Sequence, residues 1–117
     1  MHGMNGERVL MRIHLGERDR YQGKPLYEAI VLLLRERGFA GATVTRAIMG
    51  FGATAKLHTD KVLRLSVDLP IIVECVDSEE KIEGILPELD KMIGGGLITL
   101  EKVRVIMYRG EAPGGAR

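Results

Sequence analysis

The chain has 117 residues, with 17 Lys and Arg against 16 Asp and Glu, a formal charge of +1; 45% of residues are hydrophobic and 28% charged. These values fit one folded domain with a real core, and they exclude a disordered chain and a general nucleic-acid binder, which carries a large positive excess. A single cysteine, Cys75, excludes a disulfide framework within the chain and a Cys-rich zinc site.

Residues 1–7 and 110–117 are Gly-rich and unpatterned and read as flexible tails around one domain over 8–109. Val9, Met11, Ile13 and Leu15 alternate with Arg8, Leu10, Arg12 and His14, which predicts a strand with one apolar face. A polar stretch follows from Gly16 to Lys24. Pro25 stands where the first turn of a helix belongs, since its missing N–H costs nothing there. Leu26, Ala29, Ile30, Leu33 and Leu34 recur at helical spacing, and Gly38 caps the C-terminus. Residues 43–51, rich in β-branched and apolar types, predict a second strand. Gly52 to Asp60 reads as a loop. Val62 to Asp68 alternates as a strand, Pro70 interrupts, and Ile71 to Val76 is an apolar run suited to a central strand buried on both faces. Asp77 and Glu80 suggest a capping box before a second helix. That helix shows an apolar stripe of Ile82, Ile85, Leu86, Leu89, Met92 and Ile93, and Pro87 should kink or restart it. Gly94 to Gly96 end it. Leu97 to Tyr108 is the last strand, with Val103, Val105 and Met107 on one face.

The order strand, helix, strand, loop, strand, helix, strand is the split βαβ, or ferredoxin-like, arrangement. It implies an α+β domain in which a four-stranded antiparallel sheet carries two helices on one face. The other face, with Leu10, is left for a second subunit to cover. The longest apolar run, Ala29 to Leu34, is too short to span a bilayer, and the N-terminus lacks the apolar core of a signal peptide. A protein not embedded in the membrane, in the cytoplasm, is the expectation.

The fold decides no function. An RNA-recognition domain stacks bases on aromatics of its middle strands, whereas here only Phe51 and Tyr108 fall in strand regions, near their ends. Cys75 lies in an apolar strand and reads as a small buried hydrophobe rather than a nucleophile. His14 falls on the polar side of the first strand. His58 shares a loop with Lys56, where either solvation or a ligand contact suits it. Gly50-Phe51-Gly52 ends a strand, where a plain bulge or turn is the more ordinary reading, although glycine there also lets the backbone approach a ligand and turn its N–H groups to an anion. Gly94 to Gly96 read as another such turn or as a helix cap.

Taken together, these residues resemble the PII signal-transduction proteins. Val44 to Gly52, then a loop, then Asp68-Leu69-Pro70-Ile71-Ile72-Val73-Glu74 is similar to the family's strand, Gly-Phe-Gly, T-loop and Leu-Pro return. The match is nearest to the uncharacterised PII-like proteins, carried by Pro25 to Ile30, Gly41 to Val44, His58-Thr59 and Gly96 to Thr99 as well. The resemblance implies a homotrimer that binds an adenine nucleotide in clefts between subunits and regulates a target protein, such as a transporter or an enzyme, without catalysis. Carried over by position, the nucleotide would meet Gly50, Phe51, Gly52, Gly94, Gly95, Gly96 and Arg109, with Arg46, Lys56 and His58 as further contacts. Ala53 and Thr54 stand where PII proteins place Arg-Gln, Met107 stands where they place a further arginine, and the tyrosine modified in some T-loops has no counterpart. Fewer positive charges favour AMP or ADP over ATP, with no metal expected. A small phosphohydrolase and a metal-responsive trimer are the alternatives.

Overall fold

The computed structural model describes residues 6–52 and 68–110, and the strand expected over 62–68, all but Asp68, and most of the expected loop lie outside them. β1 spans Gly6–Gly16, the short β2 and β3 span Arg20–Tyr21 and Lys24–Pro25, and α1 spans Leu26–Glu36. β4 follows at Thr43–Arg46, β5 at Pro70–Asp77, α2 at Glu79–Met92 and β6 at Leu97–Val105. The main sheet has the order β4-β5-β1-β6, every neighbouring pair antiparallel. This is the ferredoxin-like order, and both helices pack on one face.

The period-two pattern of β1 becomes geometry directly. Val9, Met11, Ile13 and Leu15 are buried against the helices, and Ile71, Val73 and Cys75 of β5 join them from register positions directly opposite. Leu26, Ile30 and Leu34 of α1 and Ile82, Ile85 and Leu89 of α2 close the core. Truncation of a fully buried member such as Ile13 to Ala costs about 2–5 kcal/mol in such a setting.

Several elements differ from the expectations. β1 begins at Gly6, inside the stretch read as a tail. The polar stretch holds a hairpin of its own: Gln22 (φ 50) and Gly23 (φ 85) make a tight two-residue turn joining β2 to β3. Pro25 is the N-cap rather than the first helical residue; the Asp19 carbonyl accepts the Leu26 N–H at 2.8 Å. Gly38 (φ 78) ends α1 as expected, with its N–H on Arg35 O and the Phe39 N–H on Leu34 O, the paired bonds of a Schellman cap. β4 stops at Arg46 rather than residue 51, because its partner β5 starts at Pro70 and the ladder runs out after Ala47 N–H meets Pro70 O at 2.9 Å.

β5 is central yet alternates in burial, because only one face of the sheet is covered: Ile72, Glu74 and Val76 stay half-buried. The cap of α2 is Ser78, whose Oγ accepts from Lys81 N–H at 3.2 Å. Asp77 is buried instead and holds the N–H groups of Ala40 and Ser78 at 2.9 and 2.8 Å, tying the turn before β4 to the end of β5. Pro87 neither stops nor restarts α2, which runs through it as one helix. The helix ends without a glycine cap, at an extended Ile93. β6 ends at Val105, opposite Gly6, so Met107 lies past the strand.

The uncovered face carries Arg8, Leu10, Arg12 and His14 of β1, alternate residues of β5, and Leu97, Thr99, Glu101 and Val103 of β6. Leu10, Ile72, Val76, Leu97 and Val103 give it an apolar part, mixed with charged and polar groups. Arg12 crosses it as a bridge, its Nε donating to Glu74 at 2.6 Å and its other arm to Glu101 at 3.3 Å.

Candidate functional site

The antiparallel order brings four strand ends together. The last residues of β4 and β1 and the first of β5 and β6 share one end of the sheet: Arg46 pairs with Ile71, Leu15 with Ile71, and His14 with Leu97. Both glycine turns of interest therefore lie at this end. One follows outer strand β4 and the other precedes outer strand β6, and each leans inward onto a central strand, β5 or β1.

The glycines do different work. A Cβ on Gly96 would stand 2.8 Å from the backbone carbonyl oxygen of His14, so glycine here lets the turn pack onto β1. A Cβ on Gly50 would stand 2.9 Å from the Pro70 ring. Among the described residues, nothing lies within 4 Å of a Cβ on Gly52, Gly94 or Gly95. Phe51 is 82% exposed, and Ile48 and Met49 beside it are exposed as well. Arg46 is held by Glu17, guanidinium to carboxylate at 3.0 Å. Lys56 and His58 lie outside the described residues.

Arg109 lies elsewhere. It follows the far end of β6, where the Tyr108 hydroxyl donates to the Ala40 carbonyl at 3.3 Å. A nine-residue strand, roughly 30 Å, separates that end from Gly96. One chain thus brings the two glycine turns to a common end and holds Arg109 at the other.

Two concave surfaces of the described residues lie away from the glycine turns. One, about 460 Å³, opens between the β2–β3 hairpin and the helices, lined by Tyr21, Lys24, Leu32, Leu33, Glu88 and Met92 among others. A second, about 240 Å³, lies at the far end beside Tyr108, Leu10, Val76 and the 40–43 turn. Cys75 is buried, and burial first, then the Asp77 carboxylate, pushes its thiol up to about 12. That is the opposite of a reactive thiolate and agrees with the reading of a small hydrophobe. Among the described residues no His, Cys, Asp or Glu group is arranged to hold a metal ion, and no helix is long and apolar enough to cross a membrane.

Sequence reasoning passed over Glu17 and Arg18. The signal that would have found them is not local: Glu17 meets Arg46 29 residues away and Arg18 meets Asp68 50 residues away, through the register of β4, β5 and β1.

A ferredoxin-like sheet with glycine turns at the end of β4 and before β6 defines a PII-like fold. Comparison with known proteins agrees. The model of the DUF190 family, described as an uncharacterized ACR, matches residues 8–105, and the chain belongs to that family. A UPF0166 protein of Aquifex aeolicus is 44% identical over 100 residues, covering 86% of this chain and 94% of its own. Among solved structures, a candidate PII-like signaling protein from Thermus thermophilus superposes with a TM-score of 0.61 at 22% identity, covering 86% of this chain and 91% of the other. CPII, a nitrogen regulatory PII-like protein from Thiomonas intermedia solved with ADP, AMP and bicarbonate, superposes with a TM-score of 0.54 at 17% identity, covering 88% and 97%.

Proposed function

We propose that this protein is a non-enzymatic PII-like regulator that binds an adenine nucleotide with one or two phosphates in clefts between neighbouring copies. The observation that carries the reading is the split placement of the candidate residues. Gly52, Gly94 and Gly95, uncrowded among the described residues, offer their backbone at one sheet end, while Arg109 stands at the other. These groups converge on one ligand only if copies pack so that the Arg109 end of one meets a glycine end of the next. The apolar residues Leu10, Ile72, Val76, Leu97 and Val103 on the uncovered face supply a reason to pack, and a homotrimer built on it is part of the proposal. That CPII holds ADP and AMP on the same fold supports the choice of ligand.

In this reading the open backbone of the glycine turns meets phosphate oxygens and the exposed Phe51 ring covers an apolar face of the ligand. Arg109 supplies a modest positive charge while Arg46 is already partnered by Glu17, which suits AMP or ADP better than ATP. Bound nucleotide biases the segment between β4 and β5, and that bias is read by a target protein in the cytoplasm. Calorimetric titration of the purified assembly with AMP, ADP, ATP and a cyclic nucleotide, with and without bicarbonate, tests the reading. AMP or ADP should bind more tightly than ATP. No binding by any of them overturns it.

A further inference from the structure

The turn after β1 touches both roots of the segment that joins β4 to β5. On one root, the Arg46 guanidinium donates to Glu17 Oε2 at 3.0 Å. On the other, the Arg18 backbone N–H donates to Asp68 Oδ1 at 2.8 Å, and the Glu17 N–H donates to the Leu69 carbonyl at 2.9 Å. A Cβ on Gly16 would stand 2.8 Å from the Asp68 carboxylate, so this turn and that root are packed as closely as glycine allows. The main chain of Glu17 is therefore fixed from the β5 side, and its carboxylate is presented to Arg46 on the β4 side. The Glu17 side chain is 29% exposed and the Arg46 side chain 59% exposed. The pair is thus anchored on its acidic member and open to solvent on its basic one. Arg46 stands four residues before Gly50, at the sheet end that holds both glycine turns.

We infer that Glu17 is a specificity-determining residue that sets how many phosphates the site accepts. The inference rests on the nucleotide reading above and deepens it. Glu17 occupies the same guanidinium that a phosphate would seek, with the same kind of charge-assisted bond. Glu17 takes one N–H of the guanidinium and offsets its charge, so a ligand that recruits Arg46 competes with the carboxylate. A monophosphate that is satisfied by the glycine backbone does not need Arg46. A triphosphate, with more charge to neutralise, does, so the competition falls hardest on ATP. The built-in carboxylate acts as negative selection against the more highly charged nucleotide.

Glu17→Gln keeps the size of the side chain and removes its charge. Titration of the assembled protein with AMP and with ATP reads the ratio of the two affinities. The expected result is a rise of roughly three- to fivefold in affinity for ATP relative to AMP, the scale of an exposed ion pair. The rise should vanish when Arg46→Gln is added, and Glu17→Asp, which keeps the charge, should stay near the parent. An unchanged ratio in Glu17→Gln, or the same rise in the double variant, overturns the inference and leaves the nucleotide reading standing. Failure of both nucleotides to bind the parent protein overturns that reading and the inference with it. Circular-dichroism melts of each variant show that the comparison is between folded proteins.

Discussion

Two glycines of similar appearance in the sequence separate once their surroundings are known. Gly96 stands against the His14 carbonyl, where a methyl group needs the turn or β1 to move, and Gly96→Ala should cost about 1–3 kcal/mol in denaturant unfolding. Among the described residues none approaches a Cβ on Gly52, so Gly52→Val should leave stability within about 0.5 kcal/mol of the parent while weakening nucleotide binding. If Gly52→Val unfolds the protein or disperses its assembly, that glycine has a structural role and the reading of open backbone fails there. Cys75 makes a prediction with pH. Its thiol is raised from 9.0 to about 12, so the folded chain holds the proton more tightly than the unfolded one. The stability this provides is complete below about pH 9 and declines as pH rises toward 12. Denaturation midpoints measured from pH 8 to 11 should fall, and less so in Cys75→Ala once its own offset is subtracted. A thiol reagent at pH 8 should label Cys75 only after unfolding.

At the scale of elements, what was legible in the sequence is what repeats. The period of two in β1 and the 3.6 period of Ile82, Ile85 and Leu89 are signatures of burial on one side, and both elements lie where those patterns put them. What was not legible depends on partners distant in the chain. β4 stops where β5 beside it begins, which no local pattern at residues 47–51 records. The candidate site was legible as residue types and positions, because glycine turns and strand ends are visible in a sequence. Its separation onto opposite ends of the sheet follows from strand order alone. Pro87 shows how packing overrides local preference. The helix continues through it although Pro87 has no N–H for the Glu83 carbonyl, held by Ile85 and Leu89 in the core. Pro87 is exposed, so Pro87→Ala should stabilise the fold by about 1–3 kcal/mol, read as a higher Tm.

For the whole molecule, the uncovered sheet face decides whether the chain works alone. Leu10 and Val76 face each other across β1 and β5 on that face. If copies pack through it, Leu10→Asp should yield a smaller species in sedimentation velocity and abolish nucleotide binding together. A monomeric parent protein that still binds nucleotide sinks the inter-subunit cleft. The sheet order carries a further consequence, for the birth of the chain rather than its work. β1 is made first, yet both strands that flank it come from the second half of the sequence: Arg12 bonds to Glu74 62 residues on and to Glu101 89 residues on. A ribosome must therefore release nearly the entire chain before Met11 and Ile13 gain their permanent neighbours. Until then an apolar strand with two unpaired edges is exposed to whatever it meets. Folding should be slow for so small a protein, governed by the closure of one long chain segment after another. Shortening the chain before β6 should give aggregates rather than a partly folded domain.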